Sequence, residues 1–76
     1  MNRTRVETLG RAAADVSAAA LAVLNANNKL RYAEQQVIAD VWPEAAMTSA
    51  QKGLDDAEGQ LRGLVEVLKL QIGELE

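Results

Sequence analysis

The chain has 76 residues, 49% hydrophobic but only 3% aromatic, with no cysteine, no histidine and a net charge of −3. That length holds one domain (1–76) and leaves a marginal core unless disulfides, a structural metal or oligomerisation reinforce it. The missing cysteine and histidine exclude disulfides, zinc fingers, thiol nucleophiles and imidazole chemistry, and the acidic balance gives no general attraction to nucleic acid or anionic membranes.

Met1-Asn2-Arg3-Thr4-Arg5 starts basic, but polar residues follow where a signal peptide carries its apolar region. The longest apolar run, Ala18 to Leu24, is far short of the ~20 residues that span a bilayer. The expectation is a cytoplasmic protein. Abundant alanine and other helix formers, a single proline and little β-branched alternation predict an all-α fold.

Thr4-Arg5-Val6-Glu7 has the spacing of a capping box and predicts a helix over about 4–42. Apolar or small residues recur along it at Leu9, Ala13, Val16, Ala20, Val23, Leu30, Val37 and Val41. Asn27 and Glu34 fill the gaps in that 4-3 repeat, which is the seam of helices crossing at a shallow angle. Asn25, Asn27 and Asn28 are poor helix formers, because their amides compete for backbone hydrogen bonds. Three readings stay open for this cluster: a kink near 25–28, a buried Asn27 that fixes register, or a polar binding surface. Such a surface would comprise Asn25, Asn28, Lys29, Arg31 and Tyr32, suited to a nucleotide-like anion.

Pro43 marks the turn, expected at about 43–48. A second helix starts either there or at the second capping-box pattern, Thr48-Ser49-Ala50-Gln51, and runs to about 75. Its repeat is cleaner: Met47, Ala50, Leu54, Ala57, Leu61, Leu64, Leu68 and Leu75, with Gln71 as the polar member and Val65 and Ile72 beside it. Two such helices joined by a short turn predict a long antiparallel helical hairpin.

Three features predict a helical oligomer. With the turn centred at 43–46, Glu76 falls opposite residues 10–16, at ~1.5 Å per residue on both helices. Val6 and Leu9 are then left without an internal partner. Leu21 and Leu24 lie off the first seam, and Gly63, Val67 and Leu70 lie off the second. A helix apolar on more than one face is buried on more than one face. Finally, Arg3, Arg5 and Arg11 at one helix start and Glu74 and Glu76 at the other's end oppose the helix dipoles. Bringing the N-terminus of one chain to the C-terminus of another relieves both.

No residue set assembles a nucleophile, a tuned acid or a metal site. Asp40 and Glu44 have metal spacing only on a continuous helix, which Pro43 opposes, and Asp55, Asp56 and Glu58 read as a solvated face. The expectation is no enzyme, no cofactor, no metal and no DNA partner. Trp42 reads as a plug for the hairpin end or as an anchor for a partner.

A hairpin with its Trp at the turn is similar to the small secreted WXG proteins, although in Trp42-Pro43-Glu44 a glutamate stands where that motif has glycine. Pro43-Glu44 followed by Leu54, Glu58-Gly59, Leu61 and Leu64 resembles the small helical co-chaperones of type III secretion needle subunits, over under a third of the chain. Neither likeness assigns a family.

The sequence therefore points to a non-catalytic, oligomeric binding protein acting stoichiometrically on a macromolecule, as small bacterial or phage regulators, inhibitors and co-chaperones do. Arg3, Arg5, Val6, Leu9 and Trp42 are the expected partner face. Leu21, Leu24, Asn27, Gly63, Val67 and Leu70 are the expected oligomer contacts. The alternatives are a small-ligand binder or sponge, for a nucleotide or cyclic nucleotide held between subunits, and a purely structural coiled-coil module.

Overall fold

The computed structural model describes the backbone of residues 2–75 and the side chains of residues 3–74. Two helices, α1 (Asn2–Ile38) and α2 (Glu44–Leu75), fold back on each other as an antiparallel hairpin. The rod measures 59 × 14 × 12 Å. Among the described residues there is no strand.

α1 begins ahead of the expected cap. Thr4 lies within the helix, where its carbonyl accepts from the Thr8 hydroxyl at 2.9 Å, and Glu7 pairs with Arg3 at 3.6 Å on the exposed surface. The capping box is not used as a start. The helix also runs without a break through Asn25, Asn27 and Asn28. Each asparagine costs only about 0.7 kcal/mol against alanine, and a break there would part Ala26 from Leu30, both of which serve the seam.

The first helix ends earlier than expected, at Ile38 rather than 42, in a closed cap. The Val41 N–H donates to the Gln36 carbonyl (2.9 Å) and the Asp40 N–H to the Val37 carbonyl (3.0 Å). That pair of bonds is the Schellman pattern, with Asp40 in the left-handed region at φ 62°. Glycine takes this conformation without the Cβ clash that costs other residues. Asp40→Gly should therefore stabilise the hairpin by about 1 kcal/mol and raise Tm by several degrees. Thermal melts followed by circular dichroism check it; an Asp40→Val control should move Tm the other way.

α2 starts at Glu44, directly after Pro43, whose carbonyl accepts from the Ala46 N–H at 2.9 Å. Of the two candidate starts the proline is therefore used. Thr48 and Ser49 lie inside the helix, and Gln51 donates to Asp55 one turn on (2.9 Å).

This shorter turn, 39–43 instead of 43–48, corrects the expected overhang. Moving its centre back to about residue 41 carries the end of α2 several residues further along α1. Arg5 Nη1 accordingly donates to the Glu74 carbonyl at 3.2 Å. An arginine there satisfies a carbonyl that the end of α2 leaves free and complements its dipole. The charge relief expected between chains is thus available within one. Glu76 and the side chain of Leu75 lie outside the described residues.

The α1 seam has the expected large members but a different phase of alanines. Ala12, Ala19, Leu30 and Ala33 are buried, and Leu9, Val16, Val23, Ala26 and Val37 are half-buried between them. Ala13 and Ala20 are exposed, Asn27 and Glu34 flank the seam half-buried, and Val41 lies beyond the helix end, 64% exposed. Both phases share Leu9, Val16, Val23, Leu30 and Val37. The one adopted fills the remaining positions with alanine and spares Asn27 and Glu34 full desolvation. On α2 the seam Met47, Ala50, Leu54, Ala57, Leu61, Leu64, Leu68 and Gln71 is half-buried, as expected. Towards the turn the seam carries Ala26 and Ala33 on α1 and Ala50 and Ala57 on α2; towards the open end it carries Ala12 and Ala19 on α1 and Leu61, Leu64 and Leu68 on α2.

Candidate interaction surface

One side of the rod near the turn is an open groove floored by small residues. α1 contributes Ala22, Ala26 and Ala33; α2 contributes Ala46, Ala50, Gly53 and Ala57. These residues leave a shallow channel because a helix surface without long side chains lets another backbone approach. A Cβ added at Gly53 would meet nothing within 4 Å. The α1 rim carries Asn25, Asn28, Lys29 and Tyr32, and Trp42 stands at the turn end. Tyr32 and Trp42 pack edge to face, with ring centroids 5.4 Å apart and planes at 74°. Trp42 is still 40% exposed, so it both closes the end of the groove and faces solvent.

Four of the five residues expected to contact a ligand line this groove. Arg31 does not; it is exposed elsewhere on α1. The expected partner face is dispersed more widely. Leu9 belongs to the seam, Arg5 reaches the end of α2, Arg3 pairs with Glu7, and Trp42 lies at the opposite end of the rod. Only Val6, 61% exposed, stands free among the apolar members near the N-terminus.

The expected oligomer contacts separate into two surfaces. Leu21 and Leu24 are 58% and 53% exposed on α1, in line with Ile38 further along. Val67 and Leu70 are exposed on α2, with Gly63 one turn before them and open space around it. Asn27 is half-buried at the edge of the seam. Among the described residues no group of three or more acidic side chains is placed to hold a metal ion, and no helix is long and apolar enough to cross a membrane.

Sequence reasoning passed over the groove floor, although Ala46, Ala50, Gly53 and Ala57 repeat at 4-3-4 spacing and mark a smooth helix face. Asp40 was weighed only for its metal spacing to Glu44 and not as a helix end, because an aspartate there has no signature as plain as glycine's.

Comparison with protein-family models, curated proteins and solved structures finds no match for this chain. Fold and surface define the class by themselves: a two-helix rod with as many large apolar side chains exposed, among the described residues, as lie in its seam.

Proposed function

We propose that the chain is a non-catalytic binding protein that self-associates and acts stoichiometrically on a macromolecular partner. One observation carries the reading. Among the described large hydrophobic side chains only Leu30 is buried, whereas ten, from Val6 to Ile72, are at least 40% exposed. Single exposed apolar residues are ordinary, but a run of them along one rod marks interaction surface. Leu21, Leu24 and Ile38 form such a run on α1, flanked by Arg31, and this stripe is the partner face the geometry favours. A regulator, inhibitor or co-chaperone role in a cytoplasmic setting fits this economy.

The test is co-purification of the tagged full chain from its own cells. A protein recovered in fixed ratio should be lost with Leu24→Asp or Ile38→Asp while the helical circular dichroism is unchanged. A bound fraction equal to wild type in both variants would remove the stripe from the interface.

A second reading rests on Asn25, Asn28, Lys29 and Tyr32 sharing one groove wall, which offers amide donors and a cation to an anionic small molecule. Under it, nucleotides raise Tm, and Lys29→Ala removes that shift. Identical shifts in wild type and variant would exclude this wall as the site.

A further inference from the structure

We propose that the small-residue groove is covered by a second copy of this chain, laid antiparallel and side by side, with Val67 of each copy seated over Gly53 in the groove of the other. The inference rests on the reading that the hairpin self-associates, and it names the face.

Self-complementarity about one point is the first argument. Ala46, Gly53, Gln60 and Val67 recur every seventh residue on α2, and the first two line the groove. Residues at that spacing share one side of a helix that packs in a bundle. The knob Val67 and the hole Gly53 are centred on Gln60, each two helical turns from it and on its face. Gln60 is also the middle of α2, which runs from Glu44 to Leu75. A two-fold axis beside Gln60 therefore does two things. It overlaps the rods along nearly their whole length, and it brings each exposed Val67 over Gly53 of the second copy.

Charge on α1 is centred at the same level. Asp15, Ala22 and Lys29 also recur every seventh residue, and both Ala22 and Lys29 line the groove. Asp15 and Lys29 are symmetric about Ala22. Counted outward from the turn, Val23 and Leu61 hold the same rank in their seams, so Ala22 and Gln60, one residue to either side of that level on antiparallel helices, lie within about 3 Å of each other along the rod. The axis that seats Val67 over Gly53 then sets Asp15 of each copy near Lys29 of the other. Two independent pairs, one apolar and one ionic, choose the same axis.

Area supports the fit. A face 59 Å long and 14 Å wide offers about 800 Å² per copy, the size of a standard stable interface. Every neighbouring pair of helices in the resulting four-helix bundle is antiparallel. Leu21, Leu24 and Ile38 stay outside it, free for the partner.

Gly53→Leu separates a covered groove from a free one. In a lone hairpin the new side chain enters open space and replaces a poor helix former by a good one, so Tm should rise. In the dimer it occupies the seat of Val67, and overpacking should weaken association about tenfold or more. Sedimentation velocity of wild type, Gly53→Leu and Val67→Asp reads this directly. The expected result is a wild-type dimer of twice 8.2 kDa and a shift of both variants towards helical monomer. Orientation is read by single cysteines in this cysteine-free chain. Gly53→Cys mixed with Val67→Cys should form a disulfide-linked pair, and neither should do so alone. A wild type that is monomeric at every concentration would overturn both self-association and this face, leaving the groove to a different chain. A wild-type oligomer that survives both variants unchanged would keep self-association and overturn the face.

Discussion

Leu30→Ala is expected to abolish most of the cooperative unfolding of this protein. Leu30 is 8% exposed and the only large side chain among the described residues that is buried. Truncating a buried leucine costs about 2–5 kcal/mol, from lost transfer energy plus the cavity left behind. Whole domains hold only about 5–15 kcal/mol, and a hairpin with a core this thin belongs at the low end. The control is the same chemical change at Leu21, which is 58% exposed and should move stability by no more than about 0.5 kcal/mol. Urea melts followed by far-ultraviolet circular dichroism compare the two. Equal losses would mean that burial in the seam does not set stability.

Ala33→Leu should be nearly as damaging, by the opposite mechanism. Ala33 is 2% exposed, where the helices meet through alanines on both sides. Added methylenes there force the helices apart or push side chains off their rotamers, at about 1–3 kcal/mol. Ala20→Leu makes the identical change on the exposed surface of the same helix and should be close to neutral. The pair reads the phase of the seam. Loss at Ala20 with tolerance at Ala33 would restore the alternative repeat, in which Ala13, Ala20, Asn27 and Glu34 face α2.

The hairpin itself was legible because the sequence carries two heptad patterns interrupted by one proline, and because leucines at Leu54, Leu61, Leu64 and Leu68 leave α2 a single choice of inner face. α1 offered no such contrast. With alanine at 12, 13, 14, 18, 19, 20 and 22, hydrophobicity barely distinguishes neighbouring faces. The decision fell instead to the cost of burying Asn27 and Glu34, which only the second helix in place makes plain. The turn was misjudged for a related reason. Pro43 announces a helix start, whereas the α1 end is set by Asp40 in a left-handed conformation, which aspartate tolerates without advertising it. Those few residues decided whether the N-terminus had an internal partner.

The candidate surface was legible in part. Asn25, Asn28, Lys29 and Tyr32 were singled out as polar residues on a helix, and they do share one wall. What makes that wall a groove is the smoothness of α2 across from it, at Ala46, Ala50, Gly53 and Ala57. Small residues carry no chemistry, and their meaning appears only once two helices are side by side. Arg31 went astray because adjacent positions on a helix are about 100° apart, so five residues in a short run cannot all face one way.

If the groove joins two copies, each dimer presents the Leu21, Leu24 and Ile38 stripe twice, related by the same axis. Leu24 and Ile38 lie about 160° round α1 from Ala22, so the two stripes face away from each other and each takes its own copy of the partner.

The most direct measurement of the central claim is native mass spectrometry of the full chain drawn gently from its own cells. The account predicts a dimer with a second protein attached in fixed ratio, so that the apolar stripe and the groove are both covered. A bare monomer that nonetheless melts cooperatively would contradict it.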